Sequence, residues 1–134
     1  MLQVRDLVVS FRTEQGMVRA VDGVSFSIGR GEVFGLAGES GCGKSTIAHT
    51  ILRVLRPPAV ITGGRIQFRG QEVLKMDDAA IETFRWGGAA MVFQSAMNSL
   101  NPVMRIHTQI AEAIQTHEGR QPKEKLKQRI LELL

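Results

Sequence analysis

The chain has a single cysteine, no tyrosine, and few aromatic residues of any kind. Cys42 alone cannot form an intrachain disulfide, and a Cys/His metal cluster is excluded by count. The expected compartment is therefore the reducing cytosol. Six Phe and one Trp do not interleave with the basic residues, as a stacking platform for single-stranded nucleic acid would require. No stretch reaches the roughly 18 consecutive apolar residues that a membrane-spanning helix needs. The opening "MLQVRDLVVSF" is broken by Arg5 and Asp6. It lacks a secretory apolar region and is expected to be a strand.

Charge is also modest. Lys and Arg number 17 and Asp and Glu 13, for a net charge of +4. The densest basic run, Lys123 to Arg129, is interrupted by Glu124, Leu126 and Gln128. That spacing fits the solvated face of a helix and not a nucleic-acid patch. A chain of 134 residues with 43% hydrophobic and 22% charged residues has room for one soluble globular domain.

Residues Leu2 to Phe11 predict a strand, Thr13 to Gly16 a turn, and Met17 to Ile28 a second strand bent at Asp22-Gly23. A tight turn is expected at Gly29 to Glu32. The continuously apolar Val33 to Ala37 predicts a strand buried on both faces. Ile47, Ile51 and Leu55 then recur at helical spacing until Pro57-Pro58. Gly63 to Leu74 reads as strand, turn and strand. Asp77 and Asp78 are expected to cap the helix that runs toward Trp86 and not to act as an acid–base pair. Ala89 to Gln94 predicts another apolar strand, and Asn101-Pro102 a turn. Ile106, Ile110 and Ile114 mark one helix. Leu126, Ile130 and Leu134 mark the last, with Pro122 at its first position.

Between Val33–Ala37 and the first helix stands "GESGCGKST", Gly38 to Thr46. Gly38, Gly43, Lys44 and Ser45 meet the pattern G-x-x-x-x-G-K-[ST]. A loop that cradles phosphate must turn successive backbone N–H groups inward. Gly38, Gly41 and Gly43 permit the backbone angles and leave the face clear of side chains. Ser40 and Cys42 complete the loop. The helix that follows offers unpaired N–H groups and partial positive charge. Lys44 supplies a full charge, Ser45 a hydroxyl for magnesium, and Thr46 a further hydroxyl or amide contact. Cys42 lies near Lys44 with no histidine or other base close in sequence. It reads as a small loop residue and not as a nucleophile.

Beyond the loop, three blocks carry a wider resemblance: "LVVSFRTEQGMVRAVDGVSFSIGRGEVFGLAGESGCGKST", "GGRIQFRGQEVL" and "AMVFQSAMNSLNPVMRIHTQIAEAI". Together they resemble the ATP-binding subunits of ABC transporters, of the type that imports dipeptides, oligopeptides or nickel. The resemblance implies an α/β P-loop NTPase (RecA-like) core with an N-terminal antiparallel β-subdomain and the beginning of a helical subdomain. Residues 1–94 would hold the β-subdomain and part of the ATP-binding core. Residues 95–134 would hold the glutamine loop and the start of the helical subdomain. Phe11 falls where the family stacks an aromatic on adenine. Gln94 falls where a glutamine touches magnesium and the attacking water. ATP and Mg2+ are the implied cofactors, with Ser45 and Gln94 toward the metal. The implied partners are transmembrane permease subunits, met through the region after Gln94, and a second ATP-binding subunit in a head-to-tail dimer. Nucleic acid is not among them. The implied location is peripheral, on the cytoplasmic face of the membrane.

The sequence also departs from the family. Ser95-Ala96 stands where many relatives carry an acidic residue and proline. No apolar strand ends in Asp-Glu, no "LSGGQ"-like stretch occurs, and His49, His107 and His117 do not match the switch histidine. The expectation is a chain that grips nucleotide but lacks the groups that position water, as the N-terminal portion of a longer ATPase. A stand-alone nucleotide-binding module is the alternative. A small P-loop kinase is a weaker one, because such kinases place the loop on the first strand.

Overall fold

The structure is a computed structural model that describes residues 1–92 and 100–134, apart from the side chain of Trp86. The described chain divides into two units, Met1–Glu82 and Thr83–Leu134.

The first unit is built on an antiparallel sheet. Strands β1 (Leu2–Thr13), β2 (Gly16–Ile28), β3 (Ala59–Phe68) and β4 (Gln71–Glu72) lie in the order β2-β1-β3-β4. A two-residue turn at Glu14-Gln15 joins β1 to β2, with the Thr13 hydroxyl donating to the Gly16 carbonyl at 2.8 Å. β1 is central, and it pairs with β3 across the intervening loop and helix.

Three buried side chains of β1, Val4, Leu7 and Val9, form the middle of the core. Strict alternation would send Val4 and Leu7 to opposite faces. A bulge between them takes up the odd residue, with Asp6 in a left-handed conformation at φ 48°. The bulge is satisfied locally, because the Asp6 N–H donates to the Ser25 hydroxyl at 2.8 Å. Gly64 of β3 passes against this bulge so closely that a Cβ there would stand 2.5 Å from the Leu7 Cα. Val21, Ile66 and Val73 are buried as well, as are Ile47, Leu52 and Ile81. Each such side chain contributes about 1.5–3 kcal/mol when fully buried.

A second irregularity falls at Asp22-Gly23, the predicted bend. Leu7 pairs with Val24 and Val9 with Val21, so β2 carries an extra residue there, and Gly23 takes φ 65°. Helix α1 (Lys44–Ile51) follows the glycine loop. It ends four residues before the predicted Leu55. Arg53 turns left-handed, at φ 51°, and its guanidinium donates to the Met76 carbonyl at 2.6 Å and the Val73 carbonyl at 3.3 Å. The tertiary bonds made at Arg53 accompany an end that apolar spacing alone does not mark. After β4 comes a 3-10 turn (Val73–Lys75), so the second predicted strand of that hairpin is only two residues long. Helix α2 (Asp78–Thr83) is capped as predicted, by Asp77, whose carboxylate accepts the Ala80 N–H at 2.8 Å.

Two predicted strands do not form ladders. Val33–Ala37 pairs with no strand among the described residues, and Val33 is 96% exposed. The described part of the second, residues 89–92, is also unpaired, and Val92 is exposed. A continuous apolar run reports a preference for burial, and pairing needs a neighbouring strand as well.

The second unit begins with a π-helical turn (Phe84–Gly88), followed after residue 99 by an Asn101–Met104 turn and by helices α3 (Ile106–Glu118) and α4 (Lys123–Leu133). Among its described residues, Phe84, Ile114 and Ile130 are the buried apolar ones. Pro122 caps α4 from the position before its first residue, one place earlier than predicted. No helix of the described residues is long and apolar enough to cross a membrane.

Candidate functional site

The glycine loop is positioned by β2 behind it and by α1 ahead of it. Gly43 is the residue from which α1 starts. It is left-handed, at φ 94°, and its carbonyl accepts the Ile47 N–H at 2.9 Å. A Cβ on Gly43 would stand 2.5 Å from the Ala20 carbonyl oxygen. Ala20 is itself an extra residue in the β1–β2 register, between the Val9–Val21 and Ser10–Arg19 pairs. A bulge in β2 and a bare glycine thus let the helix start directly against the sheet. Gly41, at φ 81°, faces open space, so conformation and not crowding requires it.

The start of α1 has no side-chain cap and no acidic residue in its first turn. Its leading N–H groups are therefore available to an external acceptor. Lys44 is folded back over the loop. Its ammonium donates to the Gly38 carbonyl at 2.7 Å and the Glu39 carbonyl at 2.5 Å, and lies 3.3 Å from the Cys42 sulfur. The Cys42 N–H donates to the Glu39 carbonyl at 3.3 Å. The loop is thus closed on its own lysine, with that amide turned to a backbone partner. A Cβ on Gly38 would lie 2.6 Å from the Cys42 sulfur and 3.9 Å from the Lys44 nitrogen, so only glycine keeps this space open. Ser45 is exposed and Thr46 half-buried, and the Thr46 carbonyl accepts the Thr50 hydroxyl at 2.6 Å.

Two aromatic features flank the loop. Phe34 stacks on Phe26 of β2, with centroids 4.9 Å apart and rings 7° from parallel. This pins the segment leading into the loop, although no ladder does. Phe11 is half-buried on β1 and pairs with Val18 of β2 and Ala59 of β3. Val18 is two residues from Ala20, where Gly43 touches β2. Phe11 is therefore displaced from that contact by roughly 7 Å along the strand and one strand spacing of about 4.8 Å.

Comparison with known proteins decides the family. The family model described as "ABC transporter" matches residues 21–134. The chain belongs to the ABC transporter family. A probable peptide ABC transporter ATP-binding protein, y4tR of Sinorhizobium fredii, is 42% identical over the whole of this chain, which covers 40% of that protein. The oligopeptide transport ATP-binding protein OppD of Bacillus subtilis is 38% identical, again over the whole chain and over 37% of the relative. The chain thus spans about two fifths of the length of these relatives. Among solved structures, the dimeric ATP-binding cassette MJ0796 bound to ADP and Pi matches with a TM-score of 0.82. That match is 22% identical and covers 98% of this chain and 55% of the other, so it bears on the fold. The P-loop NTPase fold expected from the sequence is the one found.

Within this ABC family chain, Gly38, Ser40, Gly41, Cys42, Gly43, Lys44, Ser45 and Thr46 form one continuous strip at the start of α1. Phe11 lies on the neighbouring part of the sheet. Gln94 falls outside the described residues. Sequence reasoning missed the Phe26–Phe34 stack, although the two residues are symmetric about Arg30 in the predicted turn at Gly29 to Glu32. It also missed Gln109, whose side chain holds the Asn101–Met104 turn. An amide that reaches eight residues back has no periodic signal.

Proposed function

We propose that the chain is the nucleotide-gripping N-terminal portion of an ATPase that powers import of peptides or a related solute. The observation that carries the reading is the uncapped start of α1 with the Lys44 ammonium held over the loop by two backbone carbonyls. Carbonyl oxygens are weak partners for a full charge. Phosphate oxygens offer a charge-assisted bond roughly twice as strong. On binding ATP, Lys44 exchanges the Gly38 and Glu39 carbonyls for terminal phosphate oxygens, and the α1 amides take the phosphate nearest the helix.

The residues present also fit a magnesium ion that accompanies the nucleotide. The exposed Ser45 hydroxyl is a hard oxygen donor at the first turn of α1, as such an ion requires. Gln94 is proposed beside it on sequence alone. When bound, the ion neutralises phosphate charge. Phe11 offers a flat apolar face for the adenine ring. Without the Asp-Glu strand end or an "LSGGQ"-like stretch in these residues, the chain binds nucleotide and contributes no water-positioning carboxylate.

Docking to the transmembrane subunits is assigned to the segment after Gln94. In its described part, Leu100, Val103 and Ile106 are exposed. The protein lies at the cytoplasmic face through these subunits and forms a head-to-tail dimer with a second ATP-binding subunit. The test is a chromosomal Lys44→Ala allele in the source cells, with uptake of labelled di- and oligopeptides as the readout. Uptake falls to background if the reading is right. Unchanged uptake of every peptide, with normal protein levels, contradicts it.

A further inference from the structure

Helix α1 closes with both backbone bonds of a left-handed cap. The Val54 N–H reaches back to the His49 carbonyl and the Arg53 N–H to the Thr50 carbonyl, each at 3.0 Å. This places Arg53 at the left-handed position, with φ 51°. Helices most often give that position to glycine. A Cβ there crowds the backbone, at a cost that glycine does not incur. Nothing in the cap itself asks for arginine, so the reason lies in where the side chain goes.

The half-buried Arg53 side chain donates from Nη1 to the Met76 carbonyl at 2.6 Å and to the Val73 carbonyl at 3.3 Å. The two carbonyls bracket the 3-10 turn Val73–Lys75, and Val73 is fully buried. A guanidinium donates charge-assisted bonds, which are stronger than neutral ones. The far end of α1 is thereby fastened to a buried turn beyond β4. Its near end is set separately, where Gly43 abuts the Ala20 carbonyl of β2. Between the two ends, the fully buried Thr50 directs its hydroxyl to Thr46 of the same helix. With eight residues, α1 is about 12 Å long. A swing of about 2 Å at its far end would tilt the axis by about 10°, the scale on which a preorganised site loses its geometry. The leading amides and Lys44 would turn with it.

We propose that Arg53 is a positioning residue for phosphate binding. By fastening the far end of α1 to the Val73–Met76 turn, it sets the direction in which the leading amides and Lys44 meet phosphate. The inference rests on the nucleotide-binding reading given above. Arg53 lies at the opposite end of the helix from the glycine loop and acts through α1. The strained cap position is retained because the guanidinium reaches the two carbonyls from it.

The experiment uses the full-length protein. Affinities for MgATP and for pyrophosphate, the thermal midpoint without nucleotide, and amide protection at Val54 are measured together. Arg53→Gly keeps the cap, relieves its left-handed position and removes the guanidinium. It should weaken MgATP and pyrophosphate by the same factor, about tenfold, equivalent to ~1.4 kcal/mol. Val54 protection should stay at the wild-type level. The midpoint should stay within a few degrees, because relief at the backbone offsets part of the lost bonds. Arg53→Lys keeps a cation of similar reach but not the fork of donors, and should lose about threefold. Wild-type affinities in Arg53→Gly overturn the role of Arg53. So does a loss confined to MgATP, because the grip on phosphate would then be intact. A loss of binding that tracks a fall in midpoint and in Val54 protection marks a general structural role and overturns it too. Lys44→Ala separates the two levels. If Lys44→Ala binds MgATP as the wild type does, the nucleotide-binding reading fails and the inference with it. If Lys44→Ala loses binding and Arg53→Gly does not, only the inference about Arg53 falls.

Discussion

Gly43→Ala and Gly41→Ala separate two reasons for glycine in the loop. Both residues are left-handed, at φ 94° and 81°. For an alanine this conformation costs about 1–2 kcal/mol at either site. Around Gly41 an added Cβ meets nothing within 4 Å, so that conformational cost is the whole effect. At Gly43 the Cβ would stand 2.5 Å from the Ala20 carbonyl oxygen, a backbone atom of β2 that cannot rotate away. An ordinary carbon–oxygen contact is about 3.3 Å, so the two must part by roughly 0.8 Å. Gly43 starts α1, so the displacement carries the leading amides and Lys44 with it. A misplacement near 1 Å in a positioned site costs about 10²-fold. Gly43→Ala should therefore weaken MgATP binding about a hundredfold or more, and Gly41→Ala about thirtyfold at most. Fluorescence titration of both variants of the full-length protein against a labelled ATP analogue reads this directly. Equal losses, or a larger one for Gly41→Ala, would refute the claim that contact with β2 sets the position of the loop.

Phe11→Ala should weaken ATP binding by about 1–3 kcal/mol, the range for a base stacked on an aromatic, and leave pyrophosphate affinity alone. Equal losses for both ligands would remove the stacking role. Alkylation of the exposed Cys42 should block nucleotide binding, because its sulfur lies 3.3 Å from the Lys44 ammonium. Alkylated protein that binds ATP normally would take Cys42 out of the site. A pH effect is expected at the α3–α4 corner. The Arg129 guanidinium, and then the Gln121 amide, hold the Glu118 carboxyl below the usual carboxylate range. A depressed carboxylate contributes stability above its unfolded value and loses it as pH falls through the lowered one. Amide protection factors in α4, with the intrinsic exchange rate divided out, should therefore fall with acid in that window, and Glu118→Gln should flatten the response. An unchanged acid profile in that variant would exclude the link.

Much of the site was legible in sequence because its parts are local. The order of loop and helix, the cap at Asp77 and the bend at Asp22-Gly23 each depend on residues within a few positions. The antiparallel sheet was also legible, but its order was not. That β1 lies between β2 and β3 depends on pairing across some fifty residues, which alternation does not encode. At Val33–Ala37 a continuous apolar run predicts burial but does not supply the neighbouring strand that pairing needs. Its anchor is the ring stack of Phe34 on Phe26. The early end of α1 was hidden because it coincides with the reach of Arg53 to two carbonyls twenty and twenty-three positions along the chain, a contact that no local pattern encodes. The second unit gave up its helices through the isoleucine spacing. The Gln109 clamp stayed hidden, because side chain to backbone bonds leave no period.

The most direct measurement is equilibrium binding of MgATP to the full-length protein, in wild type and in Lys44→Ala. The account predicts saturable binding to the wild type and none measurable in the variant, with equal thermal midpoints in the absence of nucleotide. Wild-type affinity retained by Lys44→Ala, or no binding by the wild type, would contradict the phosphate-gripping role of the loop.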